Sequence, residues 1–225
     1  MTPHFEQALA ALKEKLLTMA SHAEGAVNRA VRAVATRDDD LARSVKEEDS
    51  TIDQLEIEID EAAIHLLSQS PRAMDLRLIT VAMKIGHDLE RVGDEATTIA
   101  RRSIALSQEP PLKASAEIPH MASIAVAMLR DALDSFVNHD TAKARTIIPH
   151  DKEVDKLNKQ LHRELAGFMA QNTETITRSL NLMVISKSLE RIADHATNIA
   201  EEVVYLYEAK DIRHTGKSEP ATTTT

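Results

Sequence analysis

The chain has 225 residues, enough for one large domain or two modest ones. Its 27 basic and 36 acidic residues leave a net charge of −9, which argues against a phosphate-backbone binder, so no nucleic-acid partner is expected. Without cysteine there is no disulfide, thiolate metal site or cysteine nucleophile. No stretch approaches the roughly 18 apolar residues of a membrane span and no short apolar secretory core opens the chain, so a cytoplasmic location is expected.

Five glycines, seven prolines and many Ala, Glu, Leu, Lys and Arg residues predict long helices. The first spans 3–36 and stops at the charged run Arg37-Asp38-Asp39-Asp40. The second, 40–69, carries an apolar seam of Ile52, Leu55, Ile59, Ala62 and Leu66, and ends at Ser68-Gln69-Ser70-Pro71. The third, 74–108, steps by threes and fours through Ala82, Ile85, Leu89, Val92, Ala96, Ile99, Ser103 and Leu106 before Glu109-Pro110-Pro111. A fourth covers 117–138 and breaks at Asn138-His139-Asp140. The fifth, 141–171, has the seam Val154, Leu157, Leu161, Leu165 and Phe168. The sixth, 174–210, follows Gln171-Asn172-Thr173 with Thr173 as its N-cap, and its seam is Leu182, Ile185, Leu189, Ile192, Ala196, Ile199, Val203 and Leu206. The tail, 211–225, ending in four threonines, is expected to be disordered.

The chain repeats itself. Leu89-Glu90-Arg91-Val92-Gly93-Asp94-Glu95-Ala96-Thr97-Thr98-Ile99-Ala100 returns as Leu189-Glu190-Arg191-Ile192-Ala193-Asp194-His195-Ala196-Thr197-Asn198-Ile199-Ala200, identical at eight of twelve positions. Upstream, the pair Asp49 and Asp53 returns as Asp151 and Asp155. A repeat of about 100 residues predicts an all-α fold of two tandem three-helix bundles related by internal duplication, 1–109 and 112–210.

What recurs is chiefly paired carboxylates. Residues four apart share a helix face, so Glu90 projects with Asp94, Asp49 with Asp53, Glu190 with Asp194 and Asp151 with Asp155. Taking 100° per residue, Glu90 and Asp94 lie roughly 130–170° from the centre of their apolar stripe, on the flank or outside of the bundle. An isolated pair there is ordinary solvated surface. Like charges at this spacing cost a helix a few tenths of a kcal/mol, yet the arrangement occurs four times. Antiparallel packing of the second and third helix of each half would bring four carboxylates together. Oxygen-only ligation suits Mg²⁺, Ca²⁺, Mn²⁺ or iron. Arg91 and Arg191, each three residues before its Asp, are the alternative counterions. Glu56 and Asp60 extend the stripe in the first half, where the second has Asn158 and His162; His87 precedes Glu90 where Lys187 precedes Glu190, and a lysine there competes with a metal. The halves therefore need not bind alike.

No P-loop, dinucleotide fingerprint or nucleophile elbow is present, and helical Glu-x-x-His di-iron pairs are missing. No catalytic residue is expected. A carboxylate-bridged metalloenzyme would need its ligands buried around a pocket. A metal-free structural adaptor, whose acids contact basic partner surfaces, is the principal alternative to a metal-binding scaffold.

Ser70-Pro71-Arg72-Ala73-Met74-Asp75-Leu76-Arg77, both Glu-Arg-x-x-Asp segments and the Asp-x-x-x-Asp pairs at 49/53 and 151/155 together resemble the PhoU family, accessory regulators of bacterial phosphate-specific transport, over about residues 4–208. The resemblance implies two three-helix bundles and a cytoplasmic, non-enzymatic regulator of phosphate uptake and of the phosphate-starvation regulon. Its implied partners are a phosphate ABC transporter and a sensor histidine kinase, through which it sits at the membrane periphery; a homodimer is implied as well. It also implies metal ions such as iron, zinc, Mn²⁺ or Mg²⁺ on the acidic pairs, with none required for folding. Thr98 replaces the Asn found at 198, so the first site is expected to lack a carboxamide that the second has.

Overall fold

The computed structural model describes residues 3–69, 71–112 and 117–213. Among them the regular structure is entirely helical. The first half contains α1 (Pro3–Thr36), α2 (Asp39–Leu67) and α3 (Ala73–Ser107); the second contains α4 (Ile118–Asn138), α5 (Thr141–Ile147), α6 (Asp151–Gln171) and α7 (Ile176–Glu208). The predicted single helix over 141–171 is thus split by a 3₁₀ turn at Ile148–His150. Pro149 is the reason: it lacks an N–H for the α-helical ladder and its ring crowds the preceding turn. The predicted cap also moves. Asn172, not Thr173, caps a short 3₁₀ turn, accepting from the Glu174 N–H at 2.9 Å, and α7 begins at Ile176. Of the tail expected to be disordered, residues 214–225 lie outside the described residues, whereas Asp211 to Arg213 are described.

The duplication extends to the joints. Arg37 and His139 both take left-handed backbone (φ 55° and 58°), and each is followed by an aspartate that caps the next helix. Asp38 accepts from Leu41 N at 2.9 Å, and Asp140 from Lys143 N at 2.8 Å. A left-handed non-glycine residue costs about 1–2 kcal/mol. At Arg37 this reversal also sends the side chain to the end of α3, where Nη2 donates to the carbonyls of Leu106 and Ser107, both at 2.8 Å, and of Glu109. These carbonyls lie at and just beyond the end of α3, where the helical ladder runs out, so the guanidinium ties the α1–α2 joint to that end of the first bundle.

Both predicted long seams are buried: Ile85, Leu89, Val92, Ala96 and Ile99 in α3, and Ile185, Leu189, Ile192, Ala196 and Ile199 in α7, are all fully sequestered. Each of these helices buries a second face as well, because α3 and α7 pack against one another as the central pair joining the halves. Charged groups cross this contact. Arg191 Nη1 donates to Glu95 at 2.9 Å, His195 Nδ1 lies 2.8 Å from Asp88 Oδ1, and Asn198 Nδ2 donates to that oxygen at 3.1 Å. Nearby, the buried Glu202 accepts from Lys84 at 2.9 and 3.1 Å and pairs with Arg213 at 3.6 Å.

Gly167 in α6 offers a direct check on this assignment. A methyl group there would meet nothing within 4 Å. Replacing it by alanine removes the glycine penalty of a helix interior without a clash, so Gly167→Ala should stabilise by about 0.5–1 kcal/mol, read as a higher urea midpoint at unchanged m-value.

Candidate metal-binding seams

The acids sit where α2 lies along α3 and where α6 lies along α7. In the first half, close approach is set by Gly93: a Cβ there would come within 2.9 Å of Ile52 Cδ1 and 3.5 Å of Asp49 Oδ1. The missing side chain lets α2 settle low enough for Asp49 to face Asp94. Gly93 is a positioning residue that the sequence reading did not single out. The available signal was a mid-helix glycine whose repeat partner, Ala193, keeps a methyl group.

Partial burial is the main cause lifting the Asp49 carboxyl above its ordinary range; the Thr97 hydroxyl opposes the rise, and the charges of Asp53 and Asp94 add to it. Glu90 is likewise raised, by burial and then by Asp94, with Arg91 pulling the other way. Arg91 bridges these acids, its Nε 3.2 Å from Glu90 Oε2 and its Nη1 3.2 Å from Asp94 Oδ2. Toward the neighbouring turn, His87 Nδ1 stands 3.2 Å from Glu56 Oε1. Ligand atoms of Glu56, His87 and Glu90 all lie within 4.8 Å of one another, and among the described residues no other trio does. The structure thus joins Asp49, Asp53, Glu90 and Asp94 into one electrostatic cluster without drawing three of them onto a single point.

The second seam has the same acids and different counterions. Asp151 and Asp194 face one another closely enough for one carboxyl to hold a proton against the other. Asp194 is pushed up to about 7, first by partial burial of its carboxyl, then by the charges of Glu190 and Asp151, although the residue as a whole is exposed. Asp151 is raised too, by burial and then, more weakly, by Asp155 and Glu190. Lys187 Nζ is bonded to Glu190, and Lys159 Nζ donates to Asp155 at 2.9 Å. Where the first half has Glu56, Asp60 and Gly86, the second has a neutral network. Ser186 donates to Asn158 Oδ1 at 2.7 Å and lies 3.1 Å from His162 Nε2.

Three expectations are corrected here. Glu190 is not on the outside of its bundle but 8% exposed, since it lies in the seam where α6 packs along α7, which a single-helix projection omits. Arg191 does not balance Asp194 by direct pairing; Glu95 of α3 takes its guanidinium across the central contact. Asn198 gives its carboxamide to Asp88 rather than to the second acid cluster, so Thr98 costs the first cluster no ligand.

Scaffold and seams together define a class: all-helical proteins of two duplicated three-helix bundles, each repeat bearing a carboxylate cluster on its second and third helices. The PhoU domain family model matches residues 16–103 and again 118–203, and the chain belongs to the PhoU family. It is 40% identical to the phosphate-specific transport system accessory protein PhoU homolog of Pseudomonas aeruginosa over 96% of this chain and 90% of that one. The homologue of the same description from Aquifex aeolicus is also 40% identical, over 90% of this chain and 92% of its own. Among solved structures, the crystal structure of PhoU from Pseudomonas aeruginosa superposes with a TM-score of 0.89 at 40% identity, covering 92% of this chain and all of that one. The phosphate transport system regulatory protein PhoU from Streptococcus pneumoniae gives 0.84 at 28% identity, over 92% and 99%. No helix among the described residues is long and apolar enough to cross a membrane.

Proposed function

We propose that this protein is a non-enzymatic accessory regulator of a phosphate transport system, and that its two acidic seams take up cations. The observation that carries the regulatory part is the near full-length match to relatives described as accessory proteins of phosphate-specific transport. In this reading the protein is cytoplasmic, contacts a phosphate ABC transporter and a sensor histidine kinase, and represses the phosphate-starvation regulon when phosphate is ample. Deleting the gene in the native cell and measuring regulon expression in rich phosphate tests this. Derepression is the expected result; unaltered repression would remove the proposal.

The cation-binding part is supported by the chemistry of the seams. Asp49, Glu90, Asp151 and Asp194 are all held above the usual carboxylate range, first by burial and then by neighbouring carboxylates, so ionising them carries a cost that a nearby cation would lower. Carboxylate oxygens are hard ligands suited to Mg²⁺, Mn²⁺ or iron. A cation would relieve the repulsion and present a changed surface to a partner. Adding Mn²⁺ at ten times its Kd to tag-free protein should stabilise it by about 1.4 kcal/mol, and the gain should shrink as pH falls, first through Asp194 at about 7 and then through the other acids. Unchanged melting, together with no bound metal by elemental analysis, would favour the metal-free adaptor, a reading to which Lys187 and Lys159 lend some weight in the second half.

A further inference from the structure

The two seams descend from one duplicated unit, yet they solve the same charge problem differently. In the second, a lysine ammonium sits on the buried Glu190. In the first, the residue at the lysine's place is His87, and the corresponding acid, Glu90, keeps a buried Oε2 that receives no hydrogen bond even with Arg91 alongside. The surroundings diverged in step. Glu56 stands where Asn158 is tied into a neutral network, and Gly86 stands where Ser186 completes that network. The first seam thus has a third donor where the second has a lysine, and the cation beside Glu90 is the exposed Arg91 guanidinium, 3.2 Å away.

We propose that Glu56, His87 and Glu90 form a mixed nitrogen–oxygen site for a divalent transition ion of the zinc class, and that the second half lacks such a site because Lys187 takes the ion's place. The inference rests on the cation-binding reading above through Glu90 alone; its other two ligands are distinct. Imidazole favours zinc-class ions, whereas the oxygen-only acids suit Mg²⁺. His87 Nδ1 and Glu56 Oε1, 3.2 Å apart, already stand at the separation of roughly 3.0–3.4 Å that two adjacent ligands adopt around a zinc-sized ion. Two carboxylates and a neutral imidazole match the charge of one divalent ion once Arg91 turns wholly to Asp94, to which its Nη1 already reaches at 3.2 Å. A cleft of about 530 Å³ bordered by Glu56, Asp60, Lys84, His87, Glu202 and Arg213 opens Glu56 and His87 to an ion from solvent, with Lys84 already engaged by Glu202.

Zinc titration of the full chain in excess Mg²⁺, which occupies oxygen-only sites, tests the proposal. One Zn²⁺ per chain is expected. His87→Ala should weaken zinc binding by about tenfold or more and leave the Mg²⁺ response unchanged, while His65→Ala, at an exposed α2 histidine, should alter neither. Adding a site to the second half with Lys187→His and Asn158→Glu should raise the count to two. Equal zinc affinity in the His87 variant, or two zinc ions bound by the wild type, would overturn the proposal. If Mg²⁺ still stabilises the protein in that event, the cation-binding reading stands without it; if neither ion binds, both fall.

Discussion

Leu189→Ala is expected to lower stability by about 3–4 kcal/mol, the largest effect of any single substitution considered for this protein. Leu189 is fully buried on α7, the helix that packs against α4 and α6 in its own half and against α3 in the other. Truncation removes its burial energy and leaves a cavity that three neighbouring helices cannot all close at once. The control lies on the same helix: Ile176 and Leu180 are 39% and 51% exposed, so their alanine variants should lose less than about 1 kcal/mol. Urea unfolding at constant m-value separates these outcomes. Similar losses at all three positions would mean that α7 does not occupy the centre of the molecule.

The second large effect is a dependence of stability on pH set by Asp194. In the folded protein its carboxyl holds a proton up to about pH 7, whereas in the unfolded chain it releases that proton near its ordinary value of 3.8. Between these limits the folded state binds more protons, so stability falls as pH rises from about 4 to 7. Because Asp194 is exposed to solvent, water screens a large part of the effect and about 2 kcal/mol remains. In metal-free buffer Asp194→Asn should therefore be more stable than the wild type at pH 7.5, and its stability should vary less across that range. The variant should also gain less from added Mn²⁺, since the repulsion a cation would relieve is already gone. Parallel pH profiles for the two proteins would show that the Asp151–Asp194 pair is not strained.

The two effects share a cause in the way α7 is buried. Period-3.5 apolar positions in α3 and α7 were readable residue by residue, and every one of the α7 series is buried. The buried positions on either flank of the α7 stripe were not readable, because Asn181, Ser188 and Glu202 on one side, and Ser186 and Glu190 on the other, are residues that hydropathy assigns to the surface. They are tolerated inside by partners from distant segments, such as Lys84 for Glu202 and Asn158 for Ser186. A single helix projection contains no such partners. The same limit applies to Arg191, whose choice between Asp194 three residues away and Glu95 on another helix depends on the packing of the two halves.

From its own pattern the sequence settles the helical class, the twofold repeat, the helix breaks near 38 and 140, and which carboxylates share a face, because periodicity and its interruption are properties of local chain geometry. Tertiary structure alone decides how those carboxylates are matched with cations: Arg91 stays with its own acids, Arg191 leaves for the other half, Lys187 settles on Glu190, and His87 meets Glu56. Charge pairing falls off within a few ångströms, so it follows the distances between helices, which the packing of α2 on α3, α6 on α7 and α3 on α7 sets after the helices themselves are formed.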